Sequence, residues 1–197
     1  MPKNNLFLQK FGTLVLASTS PRRAQLLRQV GFEFDVYPSH VDEDFDHRDP
    51  VTVAQLLAER KAMEIAKSMQ DRIVLAADTI VVLDEHILNK PADHADARRM
   101  LTMLSGRTHQ VYTGFCLIRL SDDRKLIDIE RTDVTFRRLT NEEIDSYIAD
   151  GTCYDKAGSY GIQDASAIFV ERIDGDFYNV VGLPITKIYS RLNQYFV

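Results

Sequence analysis

Asp78 is the residue in this sequence whose setting most demands a chemical explanation. It stands inside residues 73–83, Ile-Val-Leu-Ala-Ala-Asp-Thr-Ile-Val-Val-Leu, a run otherwise fit for complete burial. A carboxylate there must be hydrogen-bonded, paired with a cation, bound to a metal ion or protonated, because an isolated buried charge costs too much. At the end of a central strand it would face a cleft, where open α/β sheets bind their ligands. The alternative is a turn aspartate between two short strands. A second constellation is Ser18-Thr19-Ser20-Pro21-Arg22-Arg23. Ser20 and Pro21 are routine residues for opening a helix. Arg22 and Arg23 are not, since cations in a first turn oppose the helix dipole by roughly 0.3–1 kcal/mol each. They make sense against an anion, with backbone N–H groups, the Ser18 and Ser20 hydroxyls and both guanidiniums as donors. Otherwise they splay into solvent or pair with acidic neighbours.

Weaker signals accompany these two. Lys61 falls on the helix side shared by Leu57 and Ile65, so its amine can lean inward, and Lys90 is held extended by Pro91. Each would ordinarily be a surface lysine. Glu43 belongs to the acidic run Asp42-Glu43-Asp44-Phe45-Asp46, which could hold a hard divalent cation or simply be solvated. The loop at 157–163, Ala-Gly-Ser-Tyr-Gly-Ile-Gln, has two glycines that let backbone approach a ligand and ends on Gln163.

The elements that must position these groups mix strand and helix. Residues 1–12 read as a loosely held arm, 13–17 as a strand, 21–30 as a helix stopped by Gly31, and 32–37 as a half-buried strand. Thr52 is expected to cap the next helix, which carries Val53, Leu56, Leu57 and Ile65. After the buried strand or strands at 73–83, Asp93 caps a helix to Leu104. Two long strands follow at 111–120 and 125–139, then a capping box at Thr140 and Glu143. Residues 167–173 and 177–181 read as a hairpin about Asp174-Gly175, and Pro184 opens a last helix to about Leu192. The expectation is one α/β domain over residues 1–197, built on a mixed sheet.

Composition bounds what this can be. With 197 residues, 45% hydrophobic and 27% charged, the chain is globular rather than disordered or low-complexity. The net charge of −5 argues against a nucleic-acid binder, although a pocket for a small anion needs only a few local cations. No apolar run approaches the ~20 residues of a membrane helix. Two cysteines outside C-x-x-C spacing, and five histidines without metal-site spacing, point to a reducing cytoplasm and away from a zinc site.

Taken in order, six segments resemble the Maf family of nucleoside triphosphate pyrophosphatases, also called septum-formation-inhibitor-like proteins. They are Leu16 to Arg23, Glu59-Arg60-Lys61-Ala62, Ala77-Asp78-Thr79, Asn89-Lys90-Pro91, Asp155 to Gln163, and Val181-Gly182-Leu183-Pro184. The resemblance implies a fold like that of inosine triphosphate pyrophosphatases, a mixed sheet flanked by helices in two lobes with a deep cleft. It implies hydrolysis of a nucleoside triphosphate between the α and β phosphates, with Mg²⁺ or Mn²⁺. By matched position it implies Asp78 as proton acceptor, Arg22, Thr79 and Gln163 as setters of base choice, Ser18, Arg23, Lys61 and Lys90 on the phosphate side, and Glu43 as a carboxylate that joins Asp78 as a metal-ligand candidate. The branch acting on 7-methyl-GTP has an aromatic, a glutamine and a glutamate where this chain has Arg22, Thr79 and Gln163, so the resemblance is to the dTTP/UTP branch. It also implies a homodimer, to which no residue pattern here points. The competing reading is a non-catalytic, nucleotide-binding regulator of cell division.

Overall fold

The computed structural model describes residues 6–42 and 49–197, so Glu43 and most of the acidic run lie outside the described residues. Strand β1 (Leu14–Leu16) is wholly buried because it lies inside a sheet, parallel to β2 (Phe34–Val36) on one side and to β3 (Val74–Leu83) on the other. A strand buried on both faces carries continuous rather than alternating apolar residues, which is the pattern of both β1 and β3. Among the described residues, six strands of the seven-stranded sheet follow the order β2-β1-β3-β5-β6-β7, where β5 is Thr108–Arg119, β6 is Arg124–Phe136 and β7 is Val170–Asp174. Strand β4 (His86–Leu88) pairs antiparallel with β3, as β7 does with β6, so the sheet is mixed.

The helices are α1 (Leu6–Gln9), α2 (Pro21–Val30), α3 (Pro50–Ala66), α4 (His94–Leu104), α5 (Asn141–Ala149), α6 (Phe177–Val181) and α7 (Ile185–Tyr195). Helix α2 begins at Ser20-Pro21 and stops at Gly31, whose φ of 92° lets its N–H return to Leu27 and Arg28. Asp93 caps α4 through the Asp96 N–H, and Thr140 with Glu143 forms a reciprocal capping box on α5. Among the described residues no helix is long and apolar enough to cross a membrane.

Three expectations about the elements are corrected. Asp49, not Thr52, caps α3: its carboxylate accepts the Thr52 N–H at 3.0 Å, with Pro50 at the first helical position. Residues 165–169 form a 3₁₀ turn, and 177–181 are helix α6 rather than the second strand of a hairpin. There Asp176 accepts the Tyr178 N–H at 2.7 Å and so starts a helical turn. That turn points the wholly buried Asn179 at Val111 O (3.0 Å) and Thr132 Oγ1 (2.9 Å). Of the two readings of residues 73–83 the single buried strand holds, over Val74–Leu83, and the turn after it, with Asp84 at φ 56°, leads into β4. The stretch read as a loose arm is anchored at its end: Leu8 and Phe11 are buried, and the Phe11 ring meets Phe32 and Tyr189.

The chain forms two compact units. The first comprises residues 1–78, 113–130 and 182–197, and the second residues 79–112 and 131–181. In the first, α3 lays Ala58, Ala62 and Ala66 on Val15, Val74, Ala76, Cys116 and Ile118. The second has its own core, in which Phe136, Tyr160, Phe169 and Tyr147 stack edge to face. His109 is wholly buried there, 2.8 Å from the Tyr160 hydroxyl through Nε2, while its Nδ1 has no partner among the described residues.

Burial pushes the His109 pKa down to about 3. Below its ordinary value the unfolded chain therefore takes up a proton that the folded chain refuses. Stability contributed by this residue is present at neutral pH and falls as the pH drops from about 6.5 toward 3, by up to about 1.4 kcal/mol per pH unit. Urea titrations between about pH 4 and 6 should show that His109→Phe flattens this slope by close to one proton. Equal slopes for variant and native protein would show that the buried imidazole is not the group resisting protonation.

Candidate functional site

Parallel pairing of β1 with β3 sets Val15 beside Val74 and Leu16 beside Leu75. Ser18 follows the carboxyl end of β1, the end at which parallel strands hold ligands, and the register continued sets it level with Ala77. Asp78, the next residue, lies inside β3 rather than at a strand end as expected, because β3 runs on to Leu83 and pairs there with β4. Asp78 is 9% exposed and Lys61 likewise 9%, and Lys61 Nζ lies 2.6 Å from Asp78 Oδ1. The ammonium offsets what burial of the carboxylate would otherwise cost. Lys61 reaches Asp78 because it is on the apolar face of α3, two turns beyond Ala54, as the spacing from Leu57 to Ile65 predicts.

Close packing of that face depends on Gly114 in β5. A Cβ at this position would lie 2.7 Å from Gln55 N and closer still to the Ala54 carbonyl. No side chain other than hydrogen allows the α3 backbone to approach so nearly. This residue was not singled out in the sequence; its signal is a lone glycine inside a long strand, which marks a close backbone approach.

At the head of α2, the buried Ser18 accepts hydrogen bonds at Oγ from the Ser20 N–H and from the Arg23 guanidinium, both at 3.2 Å. The Arg23 Nε–H donates to Gly182 O at 2.8 Å. Part of Arg23 is thus committed to the fold, seating the first turn of α2 on the segment before α7. Ser20 makes no side-chain cap, and Arg22 is half-buried. The structure therefore brings Lys61 to Asp78 and Ser18 to Arg23, all in the first unit, with Arg22 next to Arg23 on α2.

The remaining candidates belong to the second unit. Thr79 follows Asp78 along β3 and is half-buried, projecting to the opposite face. Lys90 and Gln163 are exposed. Their loops are joined, because the Gly158 N–H donates to Asn89 O at 3.1 Å. Gly158 adopts φ 69°, and a Cβ there would sit 3.0–3.1 Å from the Val81 side chain.

The donor chemistry bears on a metal. Among the described residues no three His, Cys, Asp or Glu side chains gather to hold an ion. Asp78 offers one carboxylate, with Oδ1 engaged by Lys61. One or two carboxylates plus substrate phosphates are what Mg²⁺ ordinarily takes, so Asp78 fits such an ion when phosphates complete its shell.

Comparison with known proteins supplies independent findings. The family model described as Maf-like protein matches residues 13–195. A dTTP/UTP pyrophosphatase of Bacillus cereus is 48% identical over 183 residues, covering 92% of this chain and 95% of its own. A protein of the same name from Bacillus cytotoxicus is 49% identical over 182 residues, covering 92% and 94%. Among solved structures, the Staphylococcus aureus Ham1 protein aligns over 92% of this chain and 98% of its own with a TM-score of 0.55. At 13% identity that likeness concerns the fold alone.

Proposed function

Because the chain belongs to the Maf family, we propose that it is a nucleoside triphosphate pyrophosphatase that hydrolyses dTTP and UTP to the monophosphate and pyrophosphate. The observation that carries this reading is identity of nearly one residue in two, over 92% of the chain, to proteins named for that activity. The buried pair of Lys61 and Asp78 supports it with a carboxylate held in place within β3, just past the level at which β1 ends.

Hydrolysis of a phosphoanhydride asks a protein mainly to position groups and spread negative charge. In this reading Ser18, Ser20, Arg22, Arg23 and Lys61 are the donors to the phosphates, with Lys90 as a further cation. Asp78 takes a proton from the water that attacks the α-phosphorus. The new P–O bond forms as the bond to the bridging oxygen breaks, and pyrophosphate leaves with that bond's electrons. A divalent cation, Mg²⁺ or Mn²⁺, held by Asp78 and Glu43 together with the phosphates, would add charge neutralisation at the reacting centre. Thr79, Arg22 and Gln163 set the choice of base. The amide of Gln163 offers one donor and one acceptor to the N3–H and a carbonyl of uracil or thymine. A cytoplasmic location fits this work and the two cysteines, which are both free and buried.

The test is a turnover screen of the pure protein with Mg²⁺ or Mn²⁺ over natural and modified triphosphates, read as pyrophosphate release. Release is expected from dTTP and UTP ahead of purine triphosphates. No release from any pyrimidine triphosphate under either metal would overturn the proposal in favour of a non-catalytic nucleotide-binding regulator.

A further inference from the structure

The exposed Gln163 stands on a segment that is braced from within. The Asp164 N–H donates to Gly161 O at 2.9 Å, closing a four-residue turn with the buried Ile162 and the exposed Gln163 at its centre. Ser166, wholly buried, locks the same turn through its hydroxyl. Its Oγ accepts the Gly161 N–H at 3.1 Å and lies 2.9 Å from Gly161 O and 2.8 Å from Asp164 Oδ1, so its one proton serves two acceptors. Asp164 Oδ1 also accepts the Ser166 N–H at 2.9 Å. Tyr147, on the capped helix α5, donates its hydroxyl to the Asp164 carboxylate at 3.2 Å, and Lys156 Nζ lies 3.4 Å from Oδ2. The Lys156 stem fills the space where a Cβ on Gly161 would be, 2.6 Å from its Cε.

These bonds converge on Gly161 and Asp164, the residues flanking Ile162-Gln163, yet none involves Gln163. Among the described residues its amide has no hydrogen-bond partner. A glutamine free to wander would lose rotamer freedom on meeting a base, on the order of 1.5–2 kcal/mol, and could present donor or acceptor indifferently. A fixed backbone leaves that side-chain cost in place but spares the further cost of ordering the loop, and it fixes the direction from which the amide approaches.

We propose that Ser166 and Asp164 are positioning residues for base selection: they hold the Gly161–Asp164 turn so that Gln163 reads a uracil or thymine edge. The inference rests on the proposed pyrophosphatase activity and on Gln163 as a base-contacting residue, and it adds the groups that aim that contact. Uracil presents an N3–H donor where cytosine presents an acceptor, so UTP against CTP is the discriminating pair.

The experiment measures kcat and KM for UTP and CTP, with melting temperature, for native protein, Ser166→Ala, Ser166→Thr, Asp164→Asn and Gln163→Ala. The UTP-over-CTP ratio of kcat/KM is expected to fall about tenfold in Ser166→Ala and Asp164→Asn, mostly through a higher KM for UTP, and to recover in Ser166→Thr. Should Ser166→Ala fail to fold, the isosteric Asp164→Asn carries the same comparison. A native ratio in the folded variants, whatever their melting temperatures, overturns the inference while leaving the activity intact. If Gln163→Ala keeps the native ratio, the base contact itself is wrong and the inference falls with it. Absence of pyrophosphate release from the native protein would instead sink the proposed function.

Discussion

Asp78→Asn is expected to lower pyrophosphate release from UTP by about 10²–10⁴-fold, the usual contribution of a positioned general base. The same change takes the carboxylate partner from Lys61, whose side chain is only 11% exposed. Removing one member of a buried pair costs roughly 3–5 kcal/mol, and the retained amide oxygen of Asn should keep the loss near the lower figure. Activity and stability must therefore be separated. A double variant, Lys61→Met with Asp78→Asn, removes both charges and should regain part of the lost melting temperature while remaining inactive. If folded Asp78→Asn turns over near the native rate, Asp78 is not the proton acceptor. If the double variant is no more stable than Asp78→Asn, the pair is not what compensates the buried charge.

Gly114→Ala is expected to have the second-largest effect, although the residue is remote in sequence from every candidate catalytic group. Its new methyl would press on the backbone of α3 at Ala54 and Gln55, and backbone cannot rotate aside as a side-chain tip can. Overpacking of this kind costs about 1–3 kcal/mol. Relief requires α3 to move by about 1 Å, and misplacement of that size can cost on the order of 10²-fold in rate. Because Ala54, Ala58, Lys61 and Ala62 are all buried on that helix, the shift is carried to the 2.6 Å contact with Asp78. The expected result is a fall in kcat/KM together with a lower melting temperature. Native values of both would mean that the close approach does not set the position of Lys61.

Much of this was legible where a local rule and the tertiary context agree. Pro21 and Gly31 bound α2, with Ser20 at the N-cap position but making no side-chain cap, and the Thr140–Glu143 capping box appears as its residues predict, because its bonds are satisfied within a few residues. The burial of Asp78 followed from its apolar neighbours, and the inward lean of Lys61 from helical spacing. Other features escaped for physical reasons. Residues 177–181 are an apolar run too short for its period to separate strand from helix, and the deciding contacts of Asn179 are with Val111 and Thr132, distant in sequence. Strand β4 has three residues and exists through pairing with β3. The Asp49-Pro50 start of α3 did carry a signal, an N-cap followed by proline, but Thr52 offered a competing cap in the same turn. The roles of Ser166 and Asp164 could not be read at all, since a turn's bracing depends on which hydroxyl falls inside it.

The contact between Arg23 and Gly182 joins residues 159 positions apart, and Phe11 on Tyr189 is more distant still in sequence. During synthesis, the arginine pair emerges long before the backbone carbonyl that receives Arg23. A nascent chain can build α2 long before it can seat it, so final assembly of the first unit waits for translation to pass the last of its three stretches. A ribosome-stalled or prematurely terminated product ending before Gly182 would carry the arginines yet lack their anchor. Such a fragment would be a substrate for chaperones and proteases rather than a partly working enzyme.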